Sequence, residues 1–228
     1  MSTRGNLMEN NKIFRDTKNW YLTIEPCASL ESINFVTSHA GEKILDLGCA
    51  TGGYCNNLNN LGFKCTGVDV NSKYVEKARQ NGIEAYTMEA NDLKFPDDSF
   101  DTVLLFEILE HVAKPHEILK ESKRVAKKNI LITVPNCTQF FELKSSGLTY
   151  EHVLEKDHVN FFTKKDLENL ISKEFKTFTV IEDDPINLNQ LSLITGLPLW
   201  LRLQISLFNK LKFIKPSLYY HLYAVVNL

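Results

Sequence analysis

Much of what this 228-residue sequence lacks narrows the field. Gly and Pro are scarce, at 10 and 7 residues, which excludes a collagen-like or a Pro/Gly-rich disordered chain. The five cysteines (Cys27, Cys49, Cys55, Cys65 and Cys137) are odd in number and form no CxxC pair. Neither a zinc ribbon nor a disulfide scaffold is indicated, and reduced thiols in a cytoplasmic protein are expected. No charge of one sign dominates: 26 Lys and Arg against 28 Asp and Glu leave a net charge of −2. That balance provides no global basic field to draw the chain to nucleic acid. Long apolar runs are also missing. Met1 to Trp20 is polar and mixed in charge, without the apolar core of a secretory signal. The most apolar stretch, Leu191 to Phe208, is interrupted by Thr195, Pro198, Arg202 and Gln204. It makes a poor transmembrane helix, though not an impossible interfacial one.

What is present, 43% hydrophobic and 24% charged residues, suits one core; a chain of this size can bury roughly 70% of its surface in it. From Gly41 to Val134, short apolar runs alternate with helical stretches. The runs are Lys43–Leu47, Lys64–Val70, Ile83–Met88, Asp101–Phe106 and Asn129–Val134, the last stopped by Pro135. Between them Tyr54–Leu61, Ser72–Gln80 and Pro115–Lys127 have helical length and pattern, with Asn71-Ser72 as an N-cap and Asn81-Gly82 as a stop. Buried strands alternating with helices imply an α/β fold, a parallel sheet covered on both faces. Its ligands are expected beyond the strand C-terminal ends, near the switch point. Later, Lys164–Lys173 reads as a helix, and Phe175–Ile181 and Leu218–Leu228 as strands. We therefore expect one domain over 1–228: an N-terminal helical cap (1–40), a core (41–135) and substrate-side elements (136–228) carrying an apolar insertion, 186–215.

The turn Asp46-Leu47-Gly48-Cys49-Ala50-Thr51-Gly52-Gly53 follows the first strand and opens a helix. Such a turn lets a ligand approach the backbone closely, but several nucleotide folds share it. Two carboxylates add specificity. Asp69, at the end of the second strand, can take both hydroxyls of a ribose, and Asp92, in Ala90-Asn91-Asp92-Leu93, can take an adenine amino group. The turn lacks GxGxxG spacing and a Walker lysine, which fits a nucleoside with no phosphate.

Ile44-Leu45-Asp46-Leu47-Gly48-Cys49-Ala50-Thr51-Gly52 resembles the first motif of class I S-adenosylmethionine-dependent methyltransferases, usually DLGCGTG, with Ala50 in place of a Gly. Gly67-Val68-Asp69 resembles their ribose motif, and Asp92-Leu93 followed by Phe95-Pro96-Asp97-Asp98-Ser99-Phe100-Asp101 their approach to the fourth strand. The resemblance covers about residues 40 to 135. It implies a Rossmann-like seven-stranded sheet, mostly parallel with the last strand antiparallel, with helices on both faces. It also implies S-adenosyl-L-methionine as cofactor. The candidate cofactor contacts are Asp46, Gly48, Cys49, Ala50 and Gly52 in the turn, and Asp69 and Val70 after the second strand. Asn91, Asp92 and Leu93 follow the third strand, and Phe106 and Glu107 end the fourth.

A second constellation follows the fourth strand, Phe106-Glu107-Ile108-Leu109-Glu110-His111-Val112. If it turns helically, Glu107, Glu110 and His111 share one face. They then suit a divalent cation such as Mg²⁺ or Mn²⁺, or metal-free acid–base work with His111 as the base and Glu110 beside it. A structural role is the third reading, since many methyltransferases carry a similar string. Asp157-His158-Val159-Asn160-Phe161-Phe162-Thr163 is similar to the segment that supplies one more metal-binding His in small-RNA 3′-end 2′-O-methyltransferases. Ubiquinone-biosynthesis O-methyltransferases resemble the chain at ExxEH as well, and some bind a divalent metal there. The same His-x-x-Phe-Phe-Thr string also caps a helix and lines the pocket in small-molecule methyltransferases. The candidate metal set is thus Glu107, Glu110, His111 and His158, with His152 a weaker member. His39, His116 and His221 are assigned to surface or core.

The expectation is O-methylation of a small-molecule or lipid-like acceptor by a cytoplasmic monomer or homodimer. The alternatives are a metal-dependent RNA 2′-O-methyltransferase and a non-catalytic cofactor-binding partner subunit. The absence of an Arg/Lys cluster near the site argues against RNA. Arg202, Lys210, Lys212 and Lys215 in the apolar insertion could meet a membrane surface, as a peripheral contact, or an anionic substrate.

Overall fold

The computed structural model describes residues 28–138, 158–185, 200 and 219–228. The predicted insertion 186–215, apart from Trp200, lies outside the described residues, as do His152 and most of the predicted N-terminal cap. The described part of that cap is α1 (Leu30–His39), started by the Ser29 side chain accepting from the Ser32 amide.

The core then runs β1 (Lys43–Leu47), α2 (Gly53–Asn60), β2 (Lys64–Asp69), α3 (Ser72–Gln80), β3 (Ala85–Thr87) and β4 (Phe100–Phe106). A 3₁₀ turn (Leu109–His111), α4 (Pro115–Val125), β5 (Ala126–Pro135), α5 (Lys164–Ser172), β6 (Thr177–Pro185) and β7 (Tyr219–Asn227) complete it. The seven strands form one sheet in the order β3-β2-β1-β4-β5-β7-β6. β1 to β5 pair in parallel, while β7 is antiparallel to both β5 and β6. The order reverses between β1 and β4, so the ligand crevice expected of this topology lies above their C-terminal ends.

Period-2 alternation distributes the strand side chains between two apolar layers. Ile44, Leu104, Phe106 and Leu131 pack with Ile33 and Val36 of α1, Cys55 and Leu58 of α2, and Val75 and Ala78 of α3. Leu45, Leu47, Val103, Leu105, Ile130 and Ile132 face Ile118 and Leu119 of α4 and Leu167 and Ile171 of α5. Both faces are covered, which is why the strands read as continuous apolar runs. Each fully buried Leu or Ile contributes roughly 1.5–3 kcal/mol, so this core fixes the strand ends that carry the site.

The predicted elements lie within a few residues of the observed ones, and the differences have local causes. The third strand starts at Ala85 rather than Ile83, because the Ile83 amide closes the end of α3 by donating to the Ala78 carbonyl. β6 runs past Ile181 to Pro185; its acidic residues Glu182 and Asp183 pair in register with Leu222 and His221 of β7. Gly67 in β2 allows close approach, since a Cβ there would stand 2.6 Å from Cys49 Sγ. Among the described residues no helix is long and apolar enough to cross a membrane.

Candidate active site

At the end of β1 the chain turns on three positive φ angles, at Gly48 (79°), Ala50 (46°) and Gly52 (87°). Gly52 is constrained twice, because a Cβ would also sit 2.9 Å from the Ile83 side chain. Main-chain bonds fix the turn: the Gly48 and Cys49 amides donate to the Val68 carbonyl at 2.8 and 3.0 Å, and Gly52 donates to Cys49 at 2.8 Å. Asp69 locks it to β2, its carboxylate accepting from the Ala50 amide at 2.9 Å and from the Asn71 amide at 2.8 Å. The carboxylate keeps acceptor capacity for a ligand hydroxyl. Burial raises the Asp69 pKa, opposed by these backbone bonds.

Asp46 is buried beneath the turn, and burial followed by the nearby Asp69 carboxylate pushes it up to about 7. Burial also raises the Cys49 thiol, so that side chain is a packing group rather than a nucleophile. α2 opens directly after Gly52 with no side-chain cap on its first turn, which suits an anionic ligand group. An exposed glycine edge, a carboxylate with spare acceptor sites and an uncapped helix start together fit an amino-acid nucleoside.

Beyond β3 the predicted contacts spread out. Val70 is exposed beside Asp69, and Asp92 is exposed in an ion pair with Lys94 at 2.6 Å. Such a pair is worth about 0–1 kcal/mol, so it competes weakly with a ligand. Asn91 donates to Glu117 at 3.1 Å, whereas the Leu93 side chain is buried in the core and its amide donates to Glu121. Arg124, which sequence reasoning did not single out, clamps this loop by donating to the Leu93 and Phe95 carbonyls and to Asp97 and Glu121.

The second constellation forms differently from the expected helical face. β4 ends at Phe106, Glu107 takes a φ of 52°, and the 3₁₀ turn starts only at Leu109. Glu107 is thereby not part of the group that Glu110 and His111 form with His158. Its carboxylate accepts from the Thr133 hydroxyl at 2.9 Å and lies 4.0 Å from His221 Nε2. Glu110, His111 and His158 do converge, each offering an atom within 4.8 Å of the others. The two imidazoles stand edge to face at 4.6 Å. Glu110 is buried and His111 exposed, so the cluster opens outward.

Asn160, quoted in the sequence but given no role there, holds this arrangement. Its side chain donates to the Leu109 and Val112 carbonyls, while the Val159 and Asn160 amides donate to the Glu110 carbonyl. Thr163 then starts α5 with a capping box to Asp166, as its string suggested. His221, assigned to surface or core, is half-buried. Its Nδ1 bonds Asp184, which also accepts from the Tyr223 hydroxyl at 2.8 Å. Burial would lower the His221 pKa, but Asp184 and the field of Glu107 outweigh it and hold it above its ordinary value.

A family described as "Methyltransferase domain" matches residues 24–174. A ubiquinone biosynthesis O-methyltransferase of Albidiferax ferrireducens is 34% identical over 43% of this chain and 42% of its own length. One from Bartonella tribocorum is 28% identical over 66% and 65%. The match thus spans about two fifths to two thirds of the length of these relatives. A S-adenosylmethionine-dependent methyltransferase from Archaeoglobus fulgidus shares the fold at a TM-score of 0.64, with 16% identity over 98% of this chain and 99% of that one. The glycine turn locked to Asp69, the seven-stranded order and the matched family converge: the chain belongs to the class I S-adenosylmethionine-dependent methyltransferases.

Proposed function

We propose that the chain methylates an oxygen of a small-molecule or lipid-like acceptor, and that Glu110, His111 and His158 hold a divalent cation, Mg²⁺ or Mn²⁺, on the acceptor side. The observation that carries this is the convergence of Glu110 and His111, which follow β4, with His158 from the segment before α5. Their donor chemistry suits a borderline cation such as Mn²⁺ better than a hard one. The names of the ubiquinone biosynthesis relatives support oxygen as the atom methylated.

The cofactor, when bound, supplies an electrophilic methyl group and a neutral leaving group. Asp69 and the backbone of the glycine turn would hold its nucleoside and amino-acid parts. Positioning then supplies much of the rate. A hydroxyl acceptor must give up its proton as the bond forms, so a charged or basic group has to stand beside it. A cation held by Glu110, His111 and His158 would lower the hydroxyl pKa. Without a cation, exposed His111 is the base and Glu110 its neighbour. The apolar segment 186–215 is the element we assign to a lipid-like acceptor or membrane surface.

The test is a tritiated-cofactor screen against a metabolite and lipid extract, run with EDTA, Mg²⁺ or Mn²⁺. Label entering a small organic-soluble product, reduced at least about tenfold by EDTA and restored by Mn²⁺, is the expected result. Transfer indifferent to EDTA but stopped by His111→Ala would replace the cation with His111 as base. Label confined to RNA would overturn the acceptor class.

A further inference from the structure

Among the described residues, four that are not glycine carry positive φ: Ala50, Asp98, Glu107 and Asp184. Residues other than glycine adopt this conformation uncommonly, aspartate more readily than alanine or glutamate, and strained examples cluster at functional sites. Ala50 belongs to the cofactor turn. Glu107 and Asp184 lie at the C-terminal ends of β4 and β6, on the same edge of the sheet, and the imidazole of His221 stands between them.

The strand register explains how this is built. His221 opposes Asp183 across the β6–β7 pair, so its imidazole shares the face of Asp183. Strict alternation would send Asp184 to the other face. Its φ of 58° breaks the alternation and brings the carboxylate to both His221 Nδ1 and the Tyr223 hydroxyl. Tyr223 in turn meets the Ser32 hydroxyl of α1 at 3.3 Å and stacks edge-on against Phe35 at 4.9 Å. With Nδ1 committed to Asp184, the imidazole presents Nε2 towards Glu107 Oε2 at 4.0 Å. Thr133 fixes the other Glu107 oxygen. This arrangement, an imidazole oriented by a carboxylate and aimed at a second carboxylate, is how proteins set the direction of a polar group.

We propose that Asp184 and His221 are positioning residues for the cofactor site: Asp184 orients the imidazole, and the imidazole sets the Glu107 carboxylate at the end of β4. The proposal rests on the reading of Glu107 as a cofactor contact. It gives β6 and β7, which lie outside the glycine-turn half of the sheet, a role in cofactor binding.

Two substitutions at His221 separate its two nitrogens. In His221→Asn the amide stands where Nδ1 was and keeps the bond to Asp184, but nothing reaches Glu107. In His221→Gln the amide reaches the Nε2 position and loses Asp184. Calorimetric titration with S-adenosylhomocysteine is run on both, on Glu107→Gln and on Asp184→Asn, with thermal melting beside each. Glu107→Gln is expected to weaken binding roughly tenfold, as for loss of a charged hydrogen-bonding partner, and His221→Asn about fivefold, as for loss of a nearby charged partner. His221→Gln should stay within about twofold of wild type, and Asp184→Asn, which keeps Tyr223 bonded if His221→Asn fails to fold, should follow His221→Asn. Melting temperatures within about 2 °C of one another exclude a general folding effect. Wild-type affinity in both His221→Asn and Asp184→Asn, with Glu107→Gln impaired, overturns the proposal and leaves the Glu107 reading standing. No effect in Glu107→Gln overturns that reading and the proposal with it. Binding worse in His221→Gln than in His221→Asn makes the Asp184 bond merely structural, and also overturns it.

Discussion

The ligand-facing edge of the sheet is built in two ways. On the β1–β2 side the site is main chain: positive φ angles at alternate residues, amides bonded to the Val68 carbonyl, and one carboxylate, Asp69, acting 19 residues from Ala50. On the β4–β7 side it is side chain: Asn160 reaches 51 residues back to Leu109, and His221 bonds Asp184 across 37. The first arrangement tolerates few residue types because backbone geometry dictates them. The second fixes individual side chains and can be re-specified one residue at a time, so the Glu110, His111 and His158 set can change with acceptor chemistry over a constant cofactor site.

The comparison breaks most sharply at Asp69. Asp69→Ala removes the lock on Ala50 and the ribose acceptor together, and S-adenosylhomocysteine affinity should fall about 100-fold or more by calorimetry. Retained affinity would mean that the main chain alone defines the cofactor half. On the other side, His158→Ala or Glu110→Gln should abolish any Mn²⁺-induced rise in melting temperature and cut transfer by roughly 10- to 100-fold. Cofactor affinity should stay within about twofold if the halves are separable.

Asp46 gives an intermediate effect with a definite sign. Its pKa is raised to about 7 in the fold, so the protonated form is favoured. The associated stability is complete below about pH 4 and is lost as pH rises through 7. Asp46→Asn is neutral throughout and should be more stable than wild type at pH 8, by on the order of 2–4 kcal/mol. At pH 4 the two should melt alike. Denaturation at both pH values checks this; a variant less stable at pH 8 would show that the carboxylate is favoured in the charged form. The smallest effect is expected at Ala50. Ala50→Gly relieves a left-handed alanine at some entropic cost, so the net gain should be under about 1 kcal/mol in a denaturant titration.

The same division decides what could be read from the sequence. Gly48, Gly52, Asp69 and the five apolar runs lie close together and obey local rules, so the sheet, its helices and the cofactor turn were legible. Glu110, His111 and His158 were legible as a set because their strings are distinctive. The position of Glu107 was not, because the sequence pattern implied a helical turn from residue 107 where the chain adopts a left-handed φ first. His221 was assigned no chemistry, since only the antiparallel register of β6 and β7, joined across 186–218, brings it to Asp184. A clue was present in Glu182-Asp183-Asp184, an acidic run ending an otherwise apolar strand.

The most direct test of the two-part account is calorimetric titration of the full chain with S-adenosylhomocysteine, with and without EDTA. One site per chain, with the same affinity under both conditions, is the predicted result. No binding heat across a range of temperatures, or affinity that collapses in EDTA, would contradict a cofactor site that does not depend on the Glu110, His111 and His158 set.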